Sequence, residues 1–161
     1  MSGVPEPATW ADRLRAAGLR VTQPRLAVLA VVEADPHVAA DQVATHVRAQ
    51  IGTVSTQAVY DALNTLTTHK ILRRFEPAGS AMRFETWSGD NHHHLVCRGC
   101  GAVVDVPCAV GAMPCAVPSD TSGFTVEEAE VTYWGLCTAC AGATATPELE
   151  TEFTTPAVPL P

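Results

Sequence analysis

The chain contains 161 residues, of which 47% are hydrophobic and 17% are charged. Folding units usually have about 50 to 200 residues, so this length excludes a large multidomain enzyme and suits one ordinary domain or two small ones. The longest apolar run, residues 26–32, is far shorter than the roughly 18 to 20 residues that a membrane span needs.

The formal net charge of −7 is unevenly distributed along the chain. Residues 1–84 contain nine basic and seven acidic side chains, whereas residues 85–161 contain one basic and ten acidic ones. All six cysteines and three of the six histidines lie in the acidic half. This asymmetry predicts two modules with different roles. The first nine residues lack the basic and apolar segments of a signal peptide, so we expect a cytoplasmic protein.

Four short helices are predicted in the basic half. Residues 9–12 resemble a capping box, Pro24 suits a first helical turn, and Ser55 is a favourable N-cap. Apolar residues recur at helical spacing in these segments. The predicted helices begin near Trp10, Thr22, Ala40 and Ser55, and the first three end near Ala17, Pro36 and Gly52.

After the fourth helix the pattern becomes typical of strands. Residues 71–75 and 82–86 have strand character, and the turn-forming residues 77–80 lie between them, which predicts a hairpin. Helices followed by a two-stranded wing form a winged helix-turn-helix, in which the helix that begins at Ser55 would be the recognition helix. We therefore expect residues 1–87 to form a DNA-binding domain and hinge.

The acidic half predicts a second, smaller domain over residues 88–141. Strand character occurs at residues 95–97, 102–106 and 124–136, and the last of these is rich in β-branched and aromatic residues. Residues 142–161 consist mainly of Ala, Thr, Pro and Glu. Such a composition offers little to offset the entropy of ordering, so a disordered tail is predicted there.

Two cysteine pairs carry the strongest chemical signal in the sequence. Cys97 and Cys100 are separated by two residues, and so are Cys137 and Cys140. Each pair can present two sulfurs to one ion, and two pairs complete the tetrahedral thiolate shell of a structural zinc site. The alternative is a pair of disulfides, which a reducing cytosol disfavours. The spacing therefore predicts one structural Zn²⁺ ion.

A histidine triplet lies immediately before the first cysteine pair. On a strand, His92 and His94 project from the same face and His93 from the opposite one, so two imidazoles can share an ion. Glu85 and Asp105 are nearby oxygen donors, and mixed nitrogen and oxygen ligation suits Fe²⁺, Mn²⁺ or Zn²⁺. The alternative is a solvated turn. Spacing alone does not decide whether these groups converge.

Several motifs, in the same order along the chain, resemble the ferric uptake regulator (Fur) superfamily. They are residues 14–25 (LRAAGLRVTQPR), 37–43 (HVAADQV), 54–63 (VSTQAVYDAL) and 92–101 (HHHLVCRGCG). Residues 82–94 and 123–137 narrow the resemblance to actinobacterial FurA/CatR-type repressors of catalase-peroxidase genes, which respond to redox conditions. The resemblance implies an α+β fold: a winged helix followed by a small α/β dimerisation domain that carries the four-cysteine zinc site.

The resemblance also implies a homodimer that binds palindromic double-stranded operator DNA, with a regulatory metal between the domains. Carried over by position, its ligands are His37, Glu85, His92, His94 and Asp105. The expected ion is Fe²⁺ or Mn²⁺, and Zn²⁺ would also bind in vitro. Considered alone, His37 is a loop histidine beside Pro36 for which exposure to solvent is the default expectation. Only the resemblance gives it a role.

Three positions bear on what the resemblance implies. Iron-sensing members carry Glu at the position of Glu85, whereas peroxide-sensing members carry Asp. The resemblance therefore leaves open whether the protein senses iron or peroxide. Asp61 stands where many members carry Arg, which removes one expected DNA contact. No histidine follows His94, so we expect the further C-terminal metal site of iron regulators to be absent or degraded.

Candidate DNA contacts are of two kinds. Side chains at the start of the recognition helix would reach base edges, and arginines would bind phosphates or the minor groove, although ordinary solvated faces are the alternative. The first group is Ser55, Thr56, Gln57 and Tyr60, and the second is Arg20, Arg25, Arg73 and Arg74.

Two cysteines remain once four have been assigned to zinc. Cys108 and Cys115 are separated by six residues, and they are either two small, partly buried side chains or a reversible dithiol that forms a disulfide on oxidation. FurA-type proteins contain a similar segment, and we give equal weight to the buried pair and to the reversible dithiol.

The expected function is a metal-dependent, redox-responsive transcriptional repressor of catalase-peroxidase, oxidative-stress and iron-related genes, without enzymatic activity. An iron-availability or zinc sensor that does not respond to peroxide is the nearest alternative. Two alternatives belong to other classes: a zinc-knuckle protein-interaction module, and a metal hydrolase that activates water at the His and carboxylate cluster.

Overall fold

The computed structural model describes residues 9–87, 89, 92–108, 118–126 and 129–143. Four helices and a small sheet form the first domain, and a second sheet followed by a short helix forms the other. The elements in chain order are α1 (Trp10–Ala16), α2 (Gln23–Ala34), β1 (Val38–Ala39), α3 (Ala40–Ile51), α4 (Thr56–Thr68), β2 (Leu72–Phe75), β3 (Arg83–Thr86), β4 (His92–Cys97), β5 (Val103–Pro107), β6 (Thr132–Gly135) and α5 (Thr138–Ala143).

The four N-terminal helices begin and end close to where the sequence predicts. The Thr9 side chain accepts a hydrogen bond from the Asp12 amide, and the Ser55 side chain accepts one from the Ala58 amide, so both predicted N-caps are confirmed. The central part of helix α2, residues 27–32, is largely buried and packs against both α3 and α4. This packing fixes α4, the predicted recognition helix, on the outside of a shared apolar core.

The first sheet has the strand order β1-β3-β2, with antiparallel pairing throughout. The β2–β3 pair is the predicted hairpin. Strand β1 is an addition that the sequence did not predict, because two residues are too few to show an alternating pattern. Val38 in β1 pairs with Phe84 in β3. This pairing places His37, the residue before Val38, beside the β2–β3 hairpin.

The second sheet has the order β5-β4-β6, in which β4 is antiparallel to β5 and parallel to β6. Strand β4 begins at His92, so the histidine triplet is part of the central strand. The prediction of a strand over residues 124–136 is wrong in extent. Among the described residues of this segment, only 132–135 pair with β4, and Phe124 follows a turn and is 76% exposed. Strand propensity forms a strand only where a neighbouring strand supplies hydrogen bonds.

The expected α+β fold class, a winged helix followed by a small domain with four clustered cysteines, is confirmed. Helix α5 extends to Ala143, two residues into the predicted tail, and residues 144–161 lie outside the described part of the chain. Among the described residues, no helix has the length and apolar character needed to span a membrane.

Candidate metal centres and DNA-binding face

The four paired cysteines meet at one end of the second sheet. Cys97 is the last residue of β4 and Cys100 lies in the turn that follows, while Cys137 directly precedes α5 and Cys140 lies in its first turn. Their sulfur atoms all lie within 4.8 Å of one another, and the Sγ atoms of Cys100 and Cys137 are 3.8 Å apart. Such a spacing suits thiolates that share one ion and is too long for a disulfide bond.

The acidity of these thiols also favours a cation among them. The amide of Cys137 donates to the Cys97 sulfur over 3.3 Å, and together with the Cys100 amide it lowers the pKa of Cys97 to about 6. Contact with the other three sulfurs raises the pKa of Cys140 to about 12. Four sulfurs therefore cannot all become thiolates unless a positive charge relieves their repulsion. The donor set fits Zn²⁺.

Close packing behind the cysteines explains the glycine between the first two. A Cβ atom at Gly99 would lie 2.8 Å from the Cys140 sulfur and 2.9 Å from its Cβ. Both distances are shorter than any normal contact, so only glycine allows the two cysteine turns to approach this closely. The backbone is thus shaped to bring the fourth sulfur to the other three.

A second cluster lies where the two domains meet. His37 and Glu85 come from the first domain, immediately before β1 and within β3, while His94 and Asp105 come from β4 and β5. One donor atom from each of the four lies within 4.8 Å of the other three. His37 Nε2 is 2.6 Å from Asp105 Oδ1, and His94 Nε2 is 2.9 Å from Glu85 Oε2. Two contacts thus join the domains directly.

His92, the fifth predicted ligand, lies at the side of this cluster. Its Nε2 atom is 3.2 Å from Glu85 Oε1 and 3.9 Å from Asp105 Oδ1. His93 points to the other face of β4, where its ring meets Tyr133 edge to face. The alternation expected from strand geometry therefore places His92 and His94 together and leaves His93 out. The structure brings all five predicted side chains to one location.

The burial and the charges of these side chains favour the binding of a cation. Burial raises the pKa of Glu85, but hydrogen bonds from His37 and His94 outweigh it and hold the pKa well below its ordinary value. Burial lowers the pKa of His37, yet its hydrogen bond with Glu85 and the charge of Asp105 raise the pKa overall. Two carboxylates thus attract positive charge at this point. Nitrogen and oxygen donors of this kind fit Fe²⁺, Mn²⁺ or Zn²⁺.

His37 adopts a backbone conformation that side chains other than glycine rarely take. Its φ angle is 71° and its ring is buried. The left-handed region costs roughly 1–2 kcal/mol for such a residue, so the surrounding contacts must hold it there. Its amide donates to the Phe84 carbonyl oxygen, and its carbonyl oxygen accepts a hydrogen bond from Arg83. The solvent-exposed loop histidine expected by default is therefore not what the structure contains.

The exposed N-terminal turn of α4 carries four of the predicted DNA contacts. Gln57 Nε2 donates to Asp61 Oδ1 over 2.8 Å. Asp61, which stands where many similar proteins carry Arg, therefore binds a side chain that was predicted to contact a base. Arg48, which the prediction did not include, hydrogen-bonds to Thr56 at the same surface. The exposed residues of this turn are Ser55, Thr56, Gln57 and Tyr60.

The predicted phosphate-binding arginines divide into two groups. Arg20 and Arg74 are exposed, and Arg25 is half-buried and donates to the Arg20 carbonyl oxygen. Arg73 differs from the other three: its side chain is only 16% exposed, and its Nη1 atom lies 3.7 Å from Glu85 Oε1. Alternation along β2 turns Arg73 toward the metal cluster and Arg74 toward solvent. The wing thus offers one exposed arginine rather than two.

The second candidate cysteine pair is described only in part. Cys108 is half-buried and directly follows β5. Cys115 lies outside the described residues, so the distance between the two sulfurs is not defined. The dithiol stays a prediction.

Two residues of the site were missed by reasoning from the sequence. Phe75, at the end of β2, stacks on His94 with ring centroids 3.9 Å apart. Arg83 donates to backbone carbonyl oxygens in both domains. In the sequence, Phe75 looks like any apolar residue of a core, and Arg83 was counted only as one of the nine basic residues of the first half. Arg83 lies two residues before Glu85, and this position was the available signal, whereas the sequence around Phe75 offered none.

A winged helix joined to a cysteine-clustered domain through shared metal donors defines a metal-responsive DNA-binding regulator. Comparison with known proteins supports this class. The model of the ferric uptake regulator family matches residues 16–133. The chain is 50% identical over 141 residues to the transcriptional regulator FurA of Mycobacterium tuberculosis strain H37Rv, covering 88% of this chain and 94% of the relative.

Two further comparisons agree with this match. The chain is 55% identical over 121 residues to ferric uptake regulation protein 1 of Mycolicibacterium fortuitum, covering 75% of each. The crystal structure of the Vibrio cholerae ferric uptake regulator, described as revealing a rearrangement of its DNA-binding domains, superimposes with a TM-score of 0.59 at 25% identity, covering 79% of this chain and 98% of the other. The chain belongs to the ferric uptake regulator family and is a transcriptional regulator, not an enzyme.

Proposed function

We propose that this protein represses transcription while a divalent metal is held by His37, Glu85, His92, His94 and Asp105, and releases DNA on oxidation or metal loss. Residues 1–87 form the DNA-binding domain and hinge, residues 88–141 form the metal-binding dimerisation domain, and residues 142–161 are the tail. A regulator of this kind acts on the chromosome, which places it in the cytoplasm.

One observation carries this proposal: the donor cluster takes residues from both domains. His37 and Glu85 belong to the winged-helix domain, and His94 and Asp105 belong to the second sheet. A cation bound there would neutralise the two carboxylates and tie the domains together. Because a dimer must present its two recognition helices at a fixed separation, tying the domains favours operator binding.

A structural Zn²⁺ ion at Cys97, Cys100, Cys137 and Cys140 completes the second domain. The helix α5 and the strands β4 and β6 meet at these cysteines, and among the described residues of this domain few apolar side chains are buried. A small domain with so little core needs a bound metal, disulfides or oligomerisation for stability. The role of this zinc is therefore to hold the fold and not to sense.

The homodimer is supported by an apolar row on the outer face of the second sheet. Leu95 in β4 lies between Val104 in β5 and Tyr133 in β6, and these side chains are 40%, 58% and 49% exposed. Leu136, which is 48% exposed, extends the row. A second copy of the chain would cover these side chains and place two winged helices side by side, as a palindromic operator requires.

The DNA-binding surface is the N-terminal turn of α4 with the exposed arginines. Ser55, Thr56, Gln57 and Tyr60 would face base edges, while Arg20, Arg25 and Arg74 would bind phosphates. The first 84 residues carry only a small excess of positive charge. Two heads of a dimer and the charge of a bound metal would add to this weak attraction.

The regulated genes would be those for catalase-peroxidase, oxidative-stress defence and iron metabolism, as the resemblance of the sequence to FurA/CatR-type repressors implies. The regulatory ion is Fe²⁺ or Mn²⁺, and the same donors would also bind Zn²⁺ in vitro. Fe²⁺, when bound, would supply the reducing equivalent that peroxide sensing needs. An iron-availability sensor without a peroxide response is the second candidate, and Glu85 favours it because iron-sensing members share this residue.

A DNA-binding titration tests the proposal. The zinc-loaded dimer and a duplex carrying a palindrome from upstream of a catalase gene would be titrated by fluorescence anisotropy with and without Mn²⁺. Tight binding only with Mn²⁺ supports a corepressor role. Equal affinity with and without the metal contradicts it. Substrate turnover without DNA would indicate a metal hydrolase, and metal-independent capture of a protein partner would indicate a zinc-knuckle interaction module.

A further inference from the structure

The guanidinium group of Arg83 joins the two domains between the two candidate metal centres. Its Nη1 atom donates to the His37 carbonyl oxygen and its Nη2 atom donates to the Gly101 carbonyl oxygen, each over 3.0 Å. His37 belongs to the regulatory cluster, and Gly101 directly follows Cys100 of the zinc cluster. One side chain thus contacts the backbone of both centres.

Both carbonyl groups belong to residues with left-handed backbone angles. The φ angle is 71° at His37 and 73° at Gly101. The Gly101 amide donates in turn to the Cys97 carbonyl oxygen over 2.9 Å, so this residue is part of the first cysteine turn. On the other side, the direction of the His37 backbone decides whether its ring reaches Glu85 and Asp105. Arg83 therefore contacts the backbone segments that aim a ligand of each centre.

The remaining donor of the same side chain shows which contacts fix its position. Arg83 Nε is buried and has no hydrogen-bond partner among the described residues. A buried donor without a partner is unfavourable, so this side chain would rotate to pair its Nε atom if its other hydrogen bonds did not hold it. The planar guanidinium group has rigid geometry, and here the two carbonyl oxygens set its orientation. Lysine, with one ammonium group on a flexible stem, cannot reproduce this arrangement.

We propose that Arg83 is a positioning residue that couples the zinc centre to the regulatory metal centre by fixing the backbones of His37 and Gly101 relative to each other. This inference rests on the proposed function, in which the His37 cluster holds a metal. Its consequence is that the affinity for the regulatory metal depends on a contact with the zinc domain, although Arg83 touches no metal donor atom itself.

Charge and geometry predict opposite results for Arg83 substitutions, which makes the proposal testable. Removing a positive charge near a cation site raises the affinity for the cation if electrostatic repulsion is the main effect. Loss of positioning lowers it, and the loss of partners that orient metal ligands typically costs about 10- to 100-fold in affinity. Arg83→Met and Arg83→Lys should therefore both bind Mn²⁺ at least about tenfold more weakly.

The experiment uses the full-length, zinc-loaded protein and Mn²⁺ titration by calorimetry in the absence of DNA. Wild type and Arg15→Met, which replaces an exposed arginine of α1 outside both metal centres and the DNA-binding residues, serve as references with unchanged affinity. Zinc content and circular dichroism establish that each variant is folded. If Arg83→Met loses its zinc, Arg83→Lys, which keeps the charge and most of the stem, carries the test. Unchanged or tighter Mn²⁺ binding by a folded Arg83 variant overturns the proposal.

Hydrogen–deuterium exchange of the wild-type protein gives a second, independent readout. Mn²⁺ should slow exchange at the Gly101 amide in the wild type and not in Arg83→Lys, since the coupling passes through the guanidinium group. No protection of Gly101 in the wild type, despite Mn²⁺ binding, contradicts the coupling. If the wild type binds no second metal ion at all, the proposed function itself fails, which the calorimetric stoichiometry distinguishes from failure of the Arg83 inference.

Discussion

The Phe75 ring lies parallel to the His94 imidazole, with ring centroids 3.9 Å apart and an angle of 6° between the planes. The same phenyl ring meets His37 edge to face at 5.5 Å. Phe75 ends strand β2 of the wing and is buried, so one aromatic side chain of the DNA-binding domain orients two histidines of the metal cluster. The wing and the metal centre are thus physically connected.

We therefore expect Phe75→Leu to weaken Mn²⁺ binding by about tenfold, because both imidazoles lose the ring that orients them. The substitution should also lower the free energy of unfolding by about 1 kcal/mol. Calorimetric titration and urea unfolding measure the two effects. Val28→Ala, in the core of α2, is the control: it should lose comparable stability and keep its Mn²⁺ affinity. Equal Mn²⁺ affinity in wild type and Phe75→Leu contradicts an orienting role.

Removing one sulfur of the zinc cluster should unfold the second domain, since binding of thiolate zinc is coupled to folding. Cys97→Ser and Cys137→Ser are expected to lose zinc and the dimer, as measured by metal analysis and sedimentation. Cys108→Ser is the matched control and should keep one zinc per chain. A folded wild-type dimer without zinc would exclude the assignment.

A subtler test of the same centre uses the close approach of its two turns. Gly99→Ala places a methyl group within 2.8 Å of the Cys140 sulfur, so the turns must separate and zinc should be released more readily to a chelator. Gly142→Ala, where a Cβ meets nothing within 4 Å, should release zinc at the wild-type rate. Identical release rates for both variants would show that the turns can relax at no cost.

His92→Ala should lose operator affinity while keeping its fold and zinc. The imidazole contacts Glu85 and Asp105 in the regulatory cluster and contributes nothing to the four-cysteine cluster. His93→Ala is the neighbouring control on the opposite face of β4. Anisotropy titrations in saturating Mn²⁺ should give a normal operator affinity for the His93 variant only. Tight, metal-dependent binding by His92→Ala would remove this residue from the regulatory ligands.

The two neighbouring arginines of the wing should behave differently toward salt. Arg74→Met removes an exposed cation and should reduce the slope of log affinity against log salt by about one. Arg73→Met should leave that slope unchanged, because its side chain faces Glu85. Operator titrations over a range of KCl concentrations in saturating Mn²⁺ measure both. A reduced slope for Arg73→Met would show that this side chain turns to the DNA in the metal-loaded protein.

Peroxide sensing can follow two chemistries with different masses. Oxidation of a ligand such as His92 or His94 adds one oxygen, about 16 Da, whereas a disulfide between Cys108 and Cys115 removes two hydrogens, about 2 Da. We expect the disulfide, because Glu85 matches iron sensors, and peptide mass spectrometry of the iron-loaded protein after a low dose of peroxide distinguishes the two. DNA release that survives replacement of both cysteines by serine, together with an oxidised histidine, would reverse this preference.

Short-range patterns in the sequence were enough to predict the local elements and the candidate ligands of both centres. Capping side chains at Thr9 and Ser55 define where helices begin, and these signals lie within a few residues of the bonds they make. The paired cysteines share one ion because two residues between them keep their sulfurs close. Strand alternation likewise separates His93 from its two neighbours.

How distant parts of the chain meet could not be predicted from these patterns and is seen in the three-dimensional structure. Whether a strand forms at residues 124–126 and 129–131 depends on a partner strand and not on propensity, and Arg73 turns inward because β2 packs beside the metal cluster. The left-handed angle of His37, the stacking of Phe75 on His94 and the bonds of Arg83 all depend on how the domains contact each other. Such contacts join residues far apart in sequence, and local patterns carry no information about the distance between them.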